Sequence, residues 1–586
     1  MTVDPITLEV VRNGLIASSG EIRITIERTA YSSVLHEVVD FSCGVFDSEP
    51  NLIAETSGLP IFLANLSQAI RATYETIGRD ELEPEDVILC NDPYCGGGTH
   101  TPDVTCLYPV FYRNTLVGFT AFRGHTLEMG GKDPGGWYSD TVEVYQEGFR
   151  MPPVKLYSRG KPNDDIFRLI RQNTRMPDPV LGDVRAMVAA TRTGGKRVVE
   201  LIKKYGKETF TACVGEILNQ GEKMAREAVR RIPEGEYRAG IVLDGDGNDD
   251  KPLDERVDLK MMIKVKEDEM TIDFTGTSPQ CRGPMNVPLP STISSARYGF
   301  KIVTTPFLPN NEGCFKPLKV KVPKGSILDP TPPAACAMWP TPTTSIPDLV
   351  LKALAHAIPD KVRGGHFGDS YADFVYGIDP RTKKMYVIAE PVAGGYGGKS
   401  FEDGESGLFS MDLGDTYNIP NEVIEVTYPL LVERYELVRD SGGPGKHRGG
   451  FGVRKDYRIV DHETGMTFTF DRAIYSPPWG LFGGRPGSPN TFTCYRNDGR
   501  VEHWRKFTNF RLKPGDLVSL AGGGGGGYGS PAERDPELVR MDVVNGYISL
   551  KSAKEDYRVA IDERSLKVDY DSTRMLRQGS AKSDVT

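Results

Sequence analysis

Six consecutive glycines, Gly522–Gly527, do more than any other feature to limit what this chain can fold into. Such a run has no side chains with which to fill a core, and it gives up a large conformational freedom on folding. A globular chain keeps it where backbone must turn sharply or lie close against other backbone. The same requirement recurs at Gly96–Gly98, Gly394–Gly398, Gly442–Gly452 and Gly483–Gly487. Together the 64 glycines are about 11% of the 586 residues, against ~7% in ordinary proteins. No fixed period links the clusters, which excludes collagen and solenoid repeats. With 42 prolines, many in the same stretches, the spacing predicts tight turns and close backbone packing.

A chain of 586 residues is too long for one hydrophobic core, and roughly three to five packed units are expected. Hydrophobic residues make up 39% and charged residues 26%, a balance that excludes wholesale disorder. The formal net charge is −9, and no basic stripe interleaves with aromatics, which argues against nucleic acid as a partner. No apolar run of about 18 residues is present, so no membrane span is expected. The start, MTVDPITLEVVRNG, carries Asp4 and lacks the basic-then-apolar layout of a signal peptide. Nine cysteines without a CxxC pair give neither a disulfide framework nor a thiolate zinc site. A cytoplasmic protein is the expectation.

The fold class reads as mixed α and β (α+β) in several units. Asp4 and Pro5 suit the cap and first turn of a helix, with Ile6, Val10, Leu15, Ile22 and Ile26 as its apolar stripe. A second helix is expected over Leu63–Ile77, and strands at Asp86–Asn91, Val104–Tyr112 and Thr115–Phe122. The last two flank Arg113-Asn114, a hairpin turn. Helical pattern fills Asp164–Ile232, strands return at Tyr237–Leu243, Val257–Val265 and Met270–Phe274, and a helix is expected at Ile346–Ile358. The units expected are 1–155 (an αβ unit carrying the hairpin), 156–235 (helical), 236–420 (αβ), 421–540 (β-rich) and 541–586 (a partly loose extension).

The hairpin is where chemistry gathers. In NDPYCGGGTHTPDVTCLYPVFYRNTLVGFTAFRGHTLEMGG, His100 and Asp103 precede the first strand, while His125 and Glu128 leave the second. A turn at Arg113-Asn114 places both histidines at the open end beside a glycine run. Two imidazoles and one or two carboxylates suit a borderline or hard divalent ion such as zinc or manganese. Asp40, set against an apolar strand start, is a further contributor. The bland alternative is that each histidine is a hydrogen-bonded strand-end residue. His36, His356, His447, His462 and His503 read as ordinary, and His366, in GGHFGDS, as a candidate pocket residue. Trp137 and Tyr138 are candidates for an aromatic pocket or for plain packing.

Ala393–Ser400, AGGYGGKS, satisfies a relaxed phosphate-loop pattern. That loop needs a helix starting directly after the Lys-Ser pair. FEDGESGLFSMDLGDTYNIP holds three glycines and a proline, so it makes a poor helix, and a pocket or subunit contact is the expected use.

Several long strings carry a family resemblance. DFSCGVFD with LIAE, NDPY with GGTHTPDV, RGHTLEMGG with PGGWYSDTVEVYQEGFRMPPVKLY, DFTGTSPQCRGPMNVP, VERYELVRDSGGPGKHRGGFGV, LFGGRPG and GGGGGGYGSPAERDPE resemble the hydantoinase B family across residues 4 to about 540. That family includes the B-type parts of N-methylhydantoinase, 5-oxoprolinase and caprolactamase, and related subunits of acetone and acetophenone carboxylases. The resemblance implies a hydantoinase A-type partner that binds ATP and phosphorylates the substrate, while the B-type chain receives the activated species. It further implies a metal held by Asp40, His100, Asp103 and His125, able to supply hydroxide in the hydrolases.

One departure matters. Hydantoinase-like members show two adjacent histidines followed by xD, where this chain has His125, Thr126 and Glu128. A lost imidazole weakens a hydrolytic site and favours a carboxylase of the acetophenone type, with Glu128 or Asp103 as general base and further carboxylase subunits as partners. The alternatives are a hydrolytic subunit acting on a hydantoin, oxoproline or lactam, and a catalytically silent scaffold subunit. The substrate is then a small ketone or a cyclic amide.

Overall fold

In the computed structural model, residues 3–63, 65–249, 256–369 and 372–578 are described. Helix α1 (Pro5–Thr29) starts where Asp4 caps it, the carboxylate accepting the Thr7 N–H at 2.9 Å. Its buried stripe runs through Leu8, Val11, Leu15, Ile22 and Ile26, while Ile6 and Val10 are exposed. The expected stripe is offset at its first two positions, because Leu8 and Val11 hold the three- and four-residue spacing that leads to Leu15.

A seven-stranded antiparallel sheet carries the N-terminal unit. Its strands are β1 (Phe41–Asp47), β2 (Leu52–Glu55), β3 (Val87–Cys90), β4 (Asp103–Tyr112), β5 (Thr115–His125), β6 (Val154–Ser158) and β7 (Lys161–Pro162), in the order β2-β1-β5-β4-β3-β6-β7. Helix α2 (Leu66–Thr76) packs on one face. The other is covered by α1, α3 (Pro177–Tyr205) and α4 (Lys207–Arg230). Burial on both faces explains why β4 and β5 read as continuous apolar runs. The β4–β5 turn falls at Arg113 and Asn114, with φ of 48° and 60°, the left-handed pair that two-residue hairpins use.

A second sheet, ordered β11-β10-β9-β8, comprises β8 (Gly235–Leu243), β9 (Val257–Lys266), β10 (Glu269–Asp273) and β11 (Leu318–Lys321). It shares a core with α5 (Leu289–Thr304) and α6 (Pro340–Ala353). Helix α6 begins six residues before the expected Ile346 and carries Pro347 inside. Proline supplies no N–H to the Thr343 carbonyl one turn back, and the Tyr298 hydroxyl donates to that carbonyl instead, at 3.3 Å.

Strands β12 (Ala372–Ile378) and β13 (Met385–Pro391) precede β14 (Leu430–Leu437), β15 (Val453–Ile459), β16 (Thr464–Thr469), β17 (Thr491–Tyr495), β18 (Val501–Trp504), β19 (Lys506–Leu512) and β20 (Leu517–Ala521). They form two antiparallel sheets, β13-β12-β16-β19 and β14-β15-β20-β17-β18. Since β12 pairs with β16, a sheet crosses the expected 420/421 division. The expected loose extension is folded to residue 578, with helices Pro536–Val544, Leu550–Glu555 and Tyr570–Gln578; residues 579–586 lie outside the described ones. Among the described residues no helix is long and apolar enough to cross a membrane.

Gly522–Gly527 threads a bundle of extended segments. Gly395 N–H donates to Gly523 O at 2.9 Å, Gly443 N–H to Gly525 O at 2.7 Å, and Gly526 N–H to Gly365 O at 2.8 Å. A Cβ on Gly524, Gly525 or Gly526 would lie 1.8–2.0 Å from the Ser441, Tyr396 or Trp479 carbonyl oxygen. The AGGYGGKS segment belongs to this bundle. Gly398 N–H donates to Gly526 O at 2.9 Å, and Lys399 pairs with Glu402 and Glu405 at 2.5 and 2.6 Å. The next helix starts only at Asn421, so the phosphate-loop pattern is a packing motif here.

Candidate active site

The register of the β4–β5 hairpin sets Asp103 directly opposite His125. His100 is brought back to them by a turn in which Asp103 N–H donates to His100 O at 3.2 Å. Thr126 closes this end of the hairpin, donating both its N–H and its hydroxyl to Pro102 O, at 2.9 and 2.7 Å. The glycine run beside the site is tightly fitted: a Cβ on Gly98 would stand 2.5 Å from His100 O and 2.6 Å from Asp103 O. Beneath it lies Arg123, fully buried, donating to Thr105 Oγ1 at 2.7 Å and also to Asn65 Oδ1 and Gly96 O. Burial brings its guanidinium down to about 10, against the pull of Asp103.

His100, Asp103 and His125 are buried, and one ligand atom from each lies within 4.8 Å of the others. No ring nitrogen of either histidine has a hydrogen-bond partner, nor does Asp103 Oδ1. Asp103 Oδ2 is fixed by the N–H (3.1 Å) and hydroxyl of Thr99, which aims the free oxygen toward His100 Nε2, 3.5 Å away. Burial pushes the Asp103 carboxyl upward, but the neighbouring His100, then His125 and the Thr99 hydroxyl, outweigh it and hold it at about 2. Burial and the neighbouring His100 bring His125 down to about 3, which keeps that imidazole neutral. Buried polar atoms are ordinarily paired, and each orphan costs ~1–3 kcal/mol. An anionic carboxylate and imidazole nitrogens converging without hydrogen-bond partners are the donor set of a divalent-metal site.

Asp40 lines the same cavity, its Oδ1 unpartnered and its carbonyl accepting the His125 N–H at 3.1 Å. It does not join the three mutually close ligand atoms. Burial, then the charges of Asp103 and Asp412, raise its carboxyl well above the usual range. Glu128 is taken out of the site altogether. Its two oxygens accept from Gly130 N–H, Thr174 Oγ1, Arg175 N–H and the Arg175 guanidinium at 2.6–2.9 Å. A carboxylate so saturated is a structural anchor rather than a base.

The cavity between these groups measures ≈ 40 Å³. Trp137, Trp339 and Phe374 wall it, Trp137 stacked on Phe374 with centroids 5.7 Å apart and edge-on to His100 at 5.7 Å. Tyr138 packs away from it, donating to Asp133 O at 2.8 Å. Trp339 and Thr416 are not visible as site residues in the sequence; both line the cavity, and Trp339 Nε1 and Thr416 Oγ1 are unpartnered. They arrive from segments more than 200 residues away, and no local motif marks them. His366 is buried against Asp348 at 2.8 Å and lines no part of this cavity. His462 is held by the Tyr386 hydroxyl at 2.6 Å, and His503 by Thr493 at 3.1 Å.

Residues 4–531 match the family described as Hydantoinase B/oxoprolinase. The chain is 33% identical to the B-type subunit of a putative D-/L-hydantoinase from Pseudomonas sp. (strain NS671), over 98% of each chain. It superposes on the crystal structure of the ATP-dependent caprolactamase from Pseudomonas jessenii with a TM-score of 0.91 and 30% identity, covering 99% of this chain and 100% of that one. The nucleotide-free acetone carboxylase structure matches with a TM-score of 0.90 at 19% identity, over 99% of this chain and 83% of that one, a likeness of fold. Matched along nine-tenths of its length, and with its histidine hairpin inside the matched span, the chain belongs to the hydantoinase B/oxoprolinase family.

Proposed function

We propose that this chain is the hydrolytic B-type component of an ATP-dependent cyclic-amide hydrolase. The observation that carries the reading is the set of orphaned atoms on His100, Asp103 and His125 around a cavity with room for water. Thr126 supports it. Its side chain is spent on Pro102 and faces away from the cavity, so the absence of a second imidazole there leaves the three-residue set whole. Relatives named as a hydantoinase and a caprolactamase component are 33% and 31% identical, which weighs in the same direction.

In this reading ATP is bound and spent on a hydantoinase A-type partner. His100, Asp103 and His125 would hold a divalent ion, zinc or manganese, which would supply an activated water and polarisation of the substrate carbonyl. Thr99 fixes Asp103, and the Thr126–Pro102 contacts fix the spacing between the two histidines. The aromatic wall keeps bulk water from the reacting bond. Asp40, unpartnered at Oδ1 and lining the same cavity, exchanges a proton with the leaving nitrogen in this reading. A second reading, a carboxylase subunit of the acetophenone type with further subunits, draws on the same enclosure, since a phosphoenol must be kept from water before the carbon–carbon bond forms.

The two readings separate in one assay. The complex of this chain with its ATP-binding subunit is given ATP with ε-caprolactam, hydantoin or 5-oxoproline, or with acetophenone and labelled bicarbonate. Ring opening coupled to ATP turnover, with about one zinc or manganese per chain by elemental analysis, is the expected result. Label fixed into the ketone without ring opening moves the assignment to the carboxylase. Full activity of His125→Ala would reduce the chain to a scaffold.

A further inference from the structure

The cavity at the histidines, at ≈ 40 Å³, holds one or two waters and is too small for a cyclic amide. The substrate therefore comes to it from another space. An open cleft of ≈ 770 Å³ lies behind one wall of the cavity, within the size range of small-molecule sites. Two segments, 58–60 and 411–416, make the wall. Leu59 lines the cavity while its neighbours Gly58 and Pro60 line the cleft; Leu413 and Thr416 line the cavity while Met411, Gly414 and Asp415 line the cleft. The partition is one chain thick.

Its two segments touch at glycine. A Cβ on Gly414 would stand 2.8 Å from Pro60 Cδ and 3.6 Å from Gly58 O. The backbone bond between them, Ile61 N–H to Asp412 O, is long at 3.4 Å, as is Leu59 N–H to Phe41 O. The strong contacts that parting it would break are few and nameable: Arg23, which donates to Ser57 O at 2.8 Å and pairs with Asp415 across the two segments, and Ser42 Oγ, which donates to Leu59 O at 2.9 Å.

The cleft has a chemistry of its own. Ile16, Ile302, Met411 and the almost fully exposed Phe307 give it an apolar surface. Set into it are Glu55 Oε2 and Asn310 Oδ1, two buried oxygens with no hydrogen-bond partner. Lys301 does not serve them: its ammonium donates to Thr305 Oγ1 at 3.2 Å, Leu308 O at 2.9 Å and Cys314 Sγ at 3.9 Å. Burial raises the Glu55 carboxyl to about 7, against the pull of Asn310 and Lys301. The matching ligand brings an N–H donor on an apolar body.

We propose that this cleft is the substrate's waiting site, that it takes a lactam-like cyclic amide through Glu55 and Asn310, and that the 58–60 and 411–416 wall parts to pass it to the histidines. The inference rests on the cyclic-amide reading of the function.

The test uses the complex of this chain with its ATP-binding subunit, with ε-caprolactam as probe and cycloheptanone, the same ring size without an N–H, as its control. Met411→Trp fills the cleft; Ile302→Trp does so from another side should the first fail to fold. Either is expected to weaken lactam binding in calorimetry at least tenfold and to lower kcat/KM as much, with metal content unchanged. Glu55→Leu is expected to weaken the lactam tenfold and leave the ketone unchanged. Parent-like lactam binding and turnover in the filled variants overturns the proposal. So does loss of subunit assembly with lactam binding intact, which would make the cleft a docking surface. If filling abolishes lactam binding while His125→Ala remains fully active, the cleft stands and the hydrolytic reading falls.

Discussion

Among the described residues two histidine–aspartate clusters are buried, and they are built to opposite ends. At Asp348 the carboxylate is compensated from two sides, by His366 Nδ1 at 2.8 Å and by the Arg472 guanidinium at 3.4 Å. Arg472 is itself fully buried, stacked over Trp479 at 4.7 Å, and passes 2.6 Å from where a Cβ on Gly368 would sit. Glycine has made room and a guanidinium has filled it. The ring nitrogens lack hydrogen bonds in both clusters, but at Asp103 no guanidinium contacts the free oxygen, and a cavity remains between the two histidines. Burial of a histidine beside an acid is thus no mark of a site. Space together with unspent hydrogen-bonding capacity is.

The largest effect that would sharpen this contrast is on activity. His125→Ala is expected to lower turnover by the reconstituted complex at least ~100-fold, a ligand outweighing the supporting groups that cost 10–100-fold. Bound metal should fall with it, while His366→Ala keeps its metal by elemental analysis. Equal metal loss in both variants would erase the distinction between the clusters. The second effect is on stability and runs the other way. Asp348→Ala strands Arg472 in the interior, at a cost of ~3–5 kcal/mol, measurable by urea unfolding. Asp103→Ala breaks no guanidinium pair, since Arg123 feels Asp103 without bonding it and keeps its bonds to Thr105, Asn65 and Gly96, and its cost should be smaller. A third, Glu128→Gln, weakens a charge-assisted bond to Arg175 2.7 Å away by about 2 kcal/mol and should leave turnover unchanged. A collapse in turnover at unchanged stability would return Glu128 to the chemistry.

How far the site can be read in advance follows from distance along the chain. His100, Asp103 and His125 share one hairpin, and Arg113-Asn114 marks its turn, so counting from the turn brings them together. The same counting misleads at Glu128, three residues beyond the strand end, where the chain bends through Gly130 and Gly131 with φ of 80° and 95° and the side chain meets Arg175. Asp40 falls beside the site as expected, but the upward shift of its carboxyl draws on burial and then on Asp103 and Asp412, the last of them 372 residues away in sequence. Trp339, Phe374 and Thr416 are out of reach for that same reason. The glycine clusters announce close backbone packing. That Gly365, Gly395, Gly443 and Gly450 are the partners of one six-residue run is a tertiary fact no local pattern carries.

The smallest predicted effect tests the electrostatic half of the comparison. Burial works to raise the Asp348 carboxyl, yet the charges of His366 and Arg472 and the His366 hydrogen bond bring it below its ordinary value. A carboxyl whose pKa is lower folded than unfolded contributes stability above the unfolded value, near 3.9, and loses it as pH falls through the folded one. The parent should therefore lose stability faster than Asp348→Asn from about pH 5 downward, since the amide has no proton to take up. The difference in slope is at most about 1.4 kcal/mol per pH unit for one proton. Urea unfolding of both proteins at pH 5, 4.5 and 4 reads it directly. A parent that instead gains on Asp348→Asn as the pH falls would mean that Asp348 enters the fold already protonated. Arg472 would then be the uncompensated charge, and the closed cluster would be no better paired than the open one.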